Sequence, residues 1–335
     1  MAKTAVVILN YNGVDYLRLF LPTVVKYSQE ADVIVADNGS TDASLDYLRE
    51  NHPDLRLIAF EKNYGFTGGY NRAIEQIDHT YCVLLNSDIE VTPGWIHPII
   101  NFMDHDTQIS ACQPKIKAFH DKQYFEYAGA AGGFIDSLSY PYCRGRIFDT
   151  LEKDMGQYDQ NLEIFWATGA AMFVRTEDYK KLGGLDEDFF AHMEEIDLCW
   201  RMQLSGKQIY CIPESVVYHV GGGTLAKSNA RKTYYNFRNN LSMLFKNEGI
   251  LDLIWKLPLR MGLDWLSAIK FWKDNSAEHF WAVLKAHRDF IMRLPYNINK
   301  RKSITRLPGV STRIKRQGFL PYLYFVKKIR HFSEF

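Results

Sequence analysis

The sequence predicts an α/β fold, a parallel sheet wound with helices, followed by a mainly helical C-terminal extension. Three observations point there. Strand and helix patterns alternate through the first hundred residues. A polar cluster follows each apolar strand run. From about residue 229 the apolar spacing becomes helical.

The elements follow in order. Ala5–Leu9 is a short apolar run of the kind a buried parallel strand shows. Leu17, Phe20, Leu21, Val24 and Val25 then recur at helical spacing. Asp32–Ala36 is a second strand ending at Asp37-Asn38-Gly39-Ser40, and Thr41 and Asp42 stand where they cap a helix through Leu48. Asp42 in that first turn is read as structural, since a carboxylate there favours the helix dipole. Leu55–Phe60 is a third strand, Gly69–Ile77 a third helix, and Tyr81–Leu85 a fourth strand ending at Asn86-Ser87-Asp88. This βαβαβαβ order implies right-handed crossovers. Residues 108–150 read as strands and hairpins punctuated by glycines, and Ile164–Arg175 as a further strand. Met193–Ser205 is a helix closed by Gly206, Gln208–Ile212 a strand, and Gly221-Gly222-Gly223 a flexible loop. The division expected is a catalytic α/β domain over residues 1–247 and a helical, basic extension over 248–335.

A chain of 335 residues with 47% apolar and 24% charged residues can bury a large core and is not disordered. Its net charge of +1 hides an asymmetry: residues 251–335 hold 17 Lys and Arg against 6 Asp and Glu, so the body before them is acidic. A basic tail suggests an anionic partner. The tail basics Lys300, Arg301, Lys302, Arg306, Arg313, Lys315, Arg316, Lys327, Lys328 and Arg330 favour anionic lipid. No RNA-binding motif is visible, so nucleic acid is not expected. The oligomeric state is not readable. Five cysteines without a C-x-x-C pair suggest neither zinc nor redox chemistry and fit a reducing compartment. The opening MAKTAVVILNYNG has too little apolar length for a secretory signal, which places the expected location in the cytoplasm.

Residues 250–272 are rich in Leu, Ile and Trp but carry Asp252, Lys256, Arg260, Asp264 and Lys270, too many charges for a bilayer span. The first four charges recur every fourth residue and share one helical face. Two readings stand: a helix packed on the body, or an interfacial helix with tryptophans in the headgroup layer.

In an open α/β sheet, ligands bind beyond the carboxyl ends of the strands. Asn10-Tyr11-Asn12, Asp37-Asn38-Gly39-Ser40, Asn63-Tyr64-Gly65 and Asn86-Ser87-Asp88 would meet there. Such a set offers hydrogen-bonding groups for a nucleotide, small residues for phosphate and a carboxylate for a metal. Gly65, Gly68 and Gly69 precede or open a helix, where they let backbone approach a ligand or simply form a loop. The acidic helix His192-Met193-Glu194-Glu195-Ile196-Asp197 supplies candidate bases, although acids at a helix start also complement the dipole and Asp197 can pair with Arg201.

These clusters, spelled VVILNYNG, ADNGSTD, NYGFTGGYNRAI, LLNSDIEV, WATGAAMFVRTEDYKKLGGLDEDFFAHMEEIDLCWRMQLSG and YHVGGGT, resemble family 2 glycosyltransferases with the Rossmann-like GT-A fold. The resemblance runs from about residue 4 to residue 247 and is closest to the rhamnosyltransferase-like branch of bacterial surface polysaccharide synthesis. It implies an inverting transfer from a nucleotide-diphosphate sugar, dTDP-rhamnose or a UDP-sugar, to a hydroxyl of a glycan acceptor, expected to be lipid-linked. It implies donor contacts from Asn10, Asn12, Asp37, Asn38, Gly65, Gly68, Gly69, Asn71, Arg72, Asn86 and Ser87. It implies Mg²⁺ or Mn²⁺ held by Asp88 and His219, and Glu195 as the base, with Glu194 and Asp197 beside it. Asn86 stands where many members carry the first carboxylate of Asp-x-Asp, which weakens the expected metal shell. Trp166, Thr168 and Gly169 would face the acceptor, with Trp166 either stacking on sugar or packing in the core. Lys207, Arg231 and Arg238 are candidates for phosphate contact. A sugar nucleotidyltransferase lacks support, because Asn10-Tyr11-Asn12-Gly13 is not the Gly-rich basic loop such enzymes carry. The remaining alternative is a degenerate nucleotide-sugar-binding partner protein.

Overall fold

The computed structural model describes residues 2–221, 229–309 and 318–334. β1 (Thr4–Asn10) pairs in parallel with β2 (Asp32–Asp37) and β4 (Tyr81–Asn86), and β3 (Arg56–Ala59) lies parallel outside β2. The helices α1 (Val14–Tyr27), α2 (Ser44–Asn51) and α3 (Gly65–Glu75) link them. Val6, Ile8 and Leu85 share one core with Leu17, Leu21 and Val24 of α1. Ala5, Val7 and Leu84 share the opposite core with Tyr70 and Ile74 of α3. Burial on both faces is why these strands read as unbroken apolar runs.

The other half of the sheet is mixed. After β5 (Ile89–Val91), α4 (His97–His105) and β6 (Ile109–Ala118), a small four-stranded sheet forms from β7 (Gly133–Ile135), β8 (Pro141–Cys143), β9 (Arg146–Ile147) and β10 (Thr150–Leu151). Then β11 (Leu162–Glu163), β12 (Ala171–Arg175), α5 (Thr176–Lys181), α6 (Glu194–Leu204) and β13 (Gln208–His219) complete the body. The order is β11-β13-β6-β12-β4-β1-β2-β3, with β12 antiparallel between β4 and β6.

Three elements depart from expectation. α3 begins at Gly65 rather than Gly69, because Asn38 and Asn63 side chains accept the Tyr64 and Gly65 amides at its start. Of Ile164–Arg175 only Ala171–Arg175 is strand, because a turn closed by Thr168 (carbonyl to the Ala171 amide, 3.3 Å) splits the run. β13 runs past Ile212 to His219. It shifts register around Pro213, which has no amide to donate, and resumes at Val216.

The C-terminal region is α7 (Ala230–Asn247), α8 (Ile250–Lys273), α9 (Ala277–Met292) and α10 (Leu294–Ser303), and α7 packs against the other three and α6. Residues 318–334 return to the small sheet, where Tyr324 and Thr150 hydroxyls meet at 2.8 Å and Phe332 packs on Phe134. Leu253, Leu320, Tyr324 and Phe332 belong to the same core as Trp200, so packing runs unbroken across residue 247.

The charged stripe of α8 faces inward. Lys256, Arg260 and Asp264 are buried. Lys256 pairs with Glu248 (2.9 Å) and Asp252 (3.1 Å), Arg260 with Asp264 (3.1 Å), and His287 of α9 sits 3.2 Å from Asp264. The Arg260 guanidinium also lies 3.5 Å from the centre of the Tyr140 ring. Of the tail basics, Lys300 pairs with Asp186 and Asp188, while Arg301 and Arg306 donate to carbonyls at the end of α7, so these serve the fold. Arg313, Lys315 and Arg316 lie outside the described residues, as do Gly222 and Gly223. Among the described residues no helix is long and apolar enough to cross a membrane. All five cysteines are free and buried.

Removing one partner of a buried pair strands the other charge. Asp264→Ala is therefore expected to destabilise the protein by about 3 kcal/mol in urea unfolding. A loss below about 0.5 kcal/mol would show that Arg260 is satisfied without it.

Candidate active site

The carboxyl ends of β1, β2 and β4 open onto a cleft of about 360 Å³. Of the expected donor residues, Asn12, Asn38, Gly65, Asn86 and Ser87 line it, together with Asp88. Asn12 holds a left-handed backbone (φ 49°), and its side chain accepts the Thr41 amide at 2.8 Å. Asn38 donates to Asn63 Oδ1 (3.1 Å) and the Gly65 carbonyl (2.9 Å), which joins the ends of β2 and β3 to the start of α3.

The remaining expected residues sit behind or beside the cleft. Asp37 is fully buried; it accepts Asn10 Nδ2 and the Ser40 amide, both at 2.9 Å, and so braces the wall from behind. Gly68 and Gly69 are helical, and a Cβ on Gly69 would come within 2.7 Å of Leu9, so that glycine lets α3 approach the sheet. Asn71 is bonded to both backbone polar groups of Leu185 and to the Tyr179 hydroxyl, and Arg72 to Glu187, on the far side of α3. Trp166 is buried, with its indole donating to the Phe134 carbonyl and its ring over Gly133, so it packs in the core rather than stacking on a ligand. Lys207 pairs with Asp178 away from the cleft. Arg238 is buried and donates to the Asp188 and Phe189 carbonyls, whereas Arg231 reaches within 5.6 Å of the Phe190 ring on the cleft wall.

The bulged end of β13 pairs with β5 and brings His219 beside Asp88. His219 Nε2 is 3.2 Å from Asp88 Oδ1, and Nδ1 is 3.4 Å from Glu126 Oε2. Burial alone would push this imidazole down, but the two facing carboxylates outweigh it and raise its pKa to about 10. Glu126 gave no signal in the sequence, since nothing near it repeats or matches a motif. Its carboxylate lies within ion-pair reach of Nδ1, on the side of the ring away from Asp88. Among the described residues no group of three His, Cys, Asp or Glu side chains forms a complete metal site. One carboxylate and one imidazole nevertheless fit a divalent cation that takes its other oxygens from a bound diphosphate.

The acidic helix presents its carboxylates differently. Asp197 is fully buried and engaged by Arg201 (2.9 Å), Lys246 (2.9 Å) and Asn247 (2.7 Å), so it joins helices rather than facing a ligand. Glu194 and Glu195 each keep a shielded oxygen without a hydrogen-bond partner. Burial raises Glu195 to about 7, and burial with the charge of Glu195 raises Glu194 well above the carboxylate range. Gly169 links Glu195 to the cleft: a Cβ there would lie 3.1 Å from Phe66, which lines the cleft, and 3.8 Å from Glu195 Cβ.

The segment before α6 is strained. Phe190, His192 and Met193 hold φ of 65°, 69° and 71°, conformations that side-chain-bearing residues rarely adopt. Asn239 of α7 restrains them by sharing its amide hydrogens among the carbonyls of Phe189 (3.1 Å), Ala191 (2.8 Å) and His192 (2.8 Å). Phe190 and Ala191 line the cleft, so the segment joins the cleft to the acidic helix. The FFAH spelling before the acidic run marked the place, but nothing in the sequence linked it to Asn239.

Residues 5–183 match Glycosyl transferase family 2. The chain is 23% identical over 273 residues, 77% of its length and 88% of the relative's, to an N-acetylglucosaminyl-diphospho-decaprenol L-rhamnosyltransferase of Mycobacterium tuberculosis. It is 23% identical over 225 residues, covering 64% of this chain and 82% of the relative, to the rhamnosyltransferase WbbL of Escherichia coli K12. Its fold is similar to that of Staphylococcus aureus TarS residues 1–349 in complex with UDP-GlcNAc (TM-score 0.58, 16% identity, 89% of this chain and 83% of that one). It is also similar to GalNAc-T7 with UDP, GalNAc and Mn²⁺ (TM-score 0.59, 14% identity, 91% of this chain and 58% of that one). These likenesses show the GT-A fold.

Asn239→Ala is expected to keep the sheet, seen by circular dichroism, and to open residues 189–193 to limited proteolysis. Cleavage no faster than in the parent protein would show that the segment is held by other contacts.

Proposed function

The chain belongs to glycosyl transferase family 2, and we propose that it moves a sugar from a nucleotide-diphosphate donor, dTDP-rhamnose or a UDP-sugar, with inversion, to a hydroxyl of a lipid-linked glycan. The observation that carries this reading is a pair of unlike acid sites, Asp88 on the cleft wall and Glu195 beside the Gly169 that borders Phe66. Glu195 is shielded and without a counter-charge, whereas Asp88 is matched to an imidazole. The lipid diphosphate in the name of the M. tuberculosis relative supports the acceptor class, and the names of both relatives support rhamnose as the sugar moved. We place the enzyme at the cytoplasmic face of an anionic membrane, where such an acceptor lies.

In this proposal the donor lies in the cleft beside the exposed Asn12, against the wall that Asn38 and Gly65 form. Asp88 and His219 would hold Mg²⁺ or Mn²⁺, which when bound neutralises charge on the diphosphate as it leaves. Asn86 adds at most a neutral oxygen, so diphosphate oxygens complete the shell. Glu195 accepts the proton of the attacking hydroxyl. A pKa near 7 leaves it ionised in part at neutral pH yet basic enough to take a proton. Glu194 stays protonated beside it, because two adjacent buried carboxyls resist ionising together. One base and one displacement give inversion.

Glu195→Gln is expected to cut turnover by about a thousandfold and leave donor binding in place, read by transfer assay and thermal shift. Retained turnover would move the base elsewhere. In the parent protein kcat should rise with pH to a half-maximum near 7 and then level off, because only the ionised carboxylate accepts the proton. A flat profile from pH 5 to 8 would argue against Glu195.

Mn²⁺ should enlarge the thermal shift given by UDP or dTDP, and Asp88→Ala should abolish that enlargement. Because His219 stays protonated up to about pH 10, loading the site releases a proton, so Mn²⁺ affinity should increase from pH 6 to 8. Affinity that does not change with pH would remove His219 from the ligand set.

A further inference from the structure

α8 is amphipathic in the inverted sense. Lys256, Arg260 and Asp264 are 6%, 5% and 0% exposed, neutralised by Glu248, Asp252 and one another on the inner side, where Arg260 donates to the Leu138 carbonyl, so the helix turns its apolar stripe outward. That stripe runs Leu251, Ile254, Trp255, Leu259, Trp265, Leu266, Ile269 and Trp272, with exposures from 45% to 80%. Its spacing follows one helical face, and a helix of 24 residues extends it over about 36 Å. Trp281 of α9 is 60% exposed and follows the same hairpin. A protein that stays in water does not leave a stripe of this length uncovered.

We propose that the outer face of α8 and the adjoining part of α9 insert into the headgroup layer of an anionic lipid bilayer and lay the enzyme flat on it. Two observations select lipid over a protein partner. Four of the chain's seven tryptophans lie on this hairpin and are at least 45% exposed, and tryptophan is the residue that concentrates at a lipid–water interface. The exposed charge over α8 to α10 is cationic on balance: Lys270, Lys273, Lys285, Arg288 and Lys302 against Asp252, Asp274 and Glu278. Such a balance is complementary to anionic headgroups. The face deepens the lipid-linked-acceptor reading and rests on it only for the purpose of docking, since nothing in the face recognises a sugar.

Full-length protein should be mixed with vesicles of phosphatidylglycerol and phosphatidylethanolamine, and separately of phosphatidylcholine, without donor or acceptor. The expected result is co-sedimentation with the anionic vesicles, a blue shift of tryptophan emission, and quenching by brominated acyl chains. Ile254→Glu with Leu266→Glu places charge on the stripe outside the packed face. It should lower vesicle binding at least tenfold while the nucleotide-induced thermal shift is unchanged. Protein that stays in the supernatant with unshifted emission would overturn the proposal. So would a concentration-dependent dimer, abolished by the same double variant and indifferent to lipid, which would make a second copy of the chain the occupant. Docking that holds while transfer to a lipid-diphosphate sugar fails would refute the acceptor reading alone.

Discussion

The buried carboxylate of Asp197 is the junction on which the rest of the site depends. It accepts from Arg201 within its own helix and from Lys246 and Asn247 of α7, so it ties the acidic helix to the helical extension. Lys246 also contacts Asp186, which in turn receives Lys300 of α10. Four parts of the chain distant in sequence thus meet in one alternating network of charge. Burying ions is costly, and such a network stabilises only when every member is satisfied. What it supplies here is position. α7 cannot shift along α6 without breaking these contacts, and α7 carries the Asn239 amide that holds the strained segment ahead of Glu194 and Glu195.

The environments of the acidic groups divide the chemistry. Asp88 faces an imidazole that the Glu126 carboxylate holds from the other side, an arrangement suited to positive charge. Glu195 has no cation within pairing distance among the described residues, and burial lifts its pKa into the neutral range. Asp197, two residues further along the same helix, is paired with Arg201 and Lys246. Two carboxylates on one helix, such as Glu195 and Asp197, would look alike to a count of acids. Their surroundings, which come from elsewhere in the fold, separate them: Asp197 is met by cations and Glu195 is not.

That distinction also marks how far the sequence could be read. The four strand ends and their polar clusters were legible, because apolar runs and turn residues are local signals, and the structure brings the ends of β1, β2 and β4 to one cleft. The start of α3 was not legible, because glycines argue for a loop until the Asn38 and Asn63 side chains that open the helix are in place. His219 was expected just beyond a strand, but its approach to Asp88 depends on a strand that resumes after a proline bulge. Glu126 and Asn239 were invisible, since each acts through backbone or ring atoms far away in the chain. The shared face of Lys256, Arg260 and Asp264 was legible from their spacing, whereas Asp252, expected on it, lies exposed at the start of the helix. Its direction was open, because periodicity defines a face without saying which side of it meets the protein.

That direction changes how the extension can be dissected. Deleting residues 248–335 would remove the buried Glu248–Lys256 pair, the Lys300 that meets Asp186 beside Lys246, and the aromatic residues that close the small sheet. Loss of membrane binding after such a deletion would therefore be indistinguishable from loss of the fold. The outer stripe of α8 can be altered separately, because its side chains project away from the packed face that holds Lys256, Arg260 and Asp264. The same helix thus separates two roles by face. Its charged side faces the body, where Arg260 donates to the Leu138 carbonyl and lies over the Tyr140 ring, and its apolar side remains available to a partner that needs no directional match. In the proposed docking a bilayer is such a partner, and α7, which packs on α8 and carries Asn239, joins that helix to the segment ahead of the acidic pair.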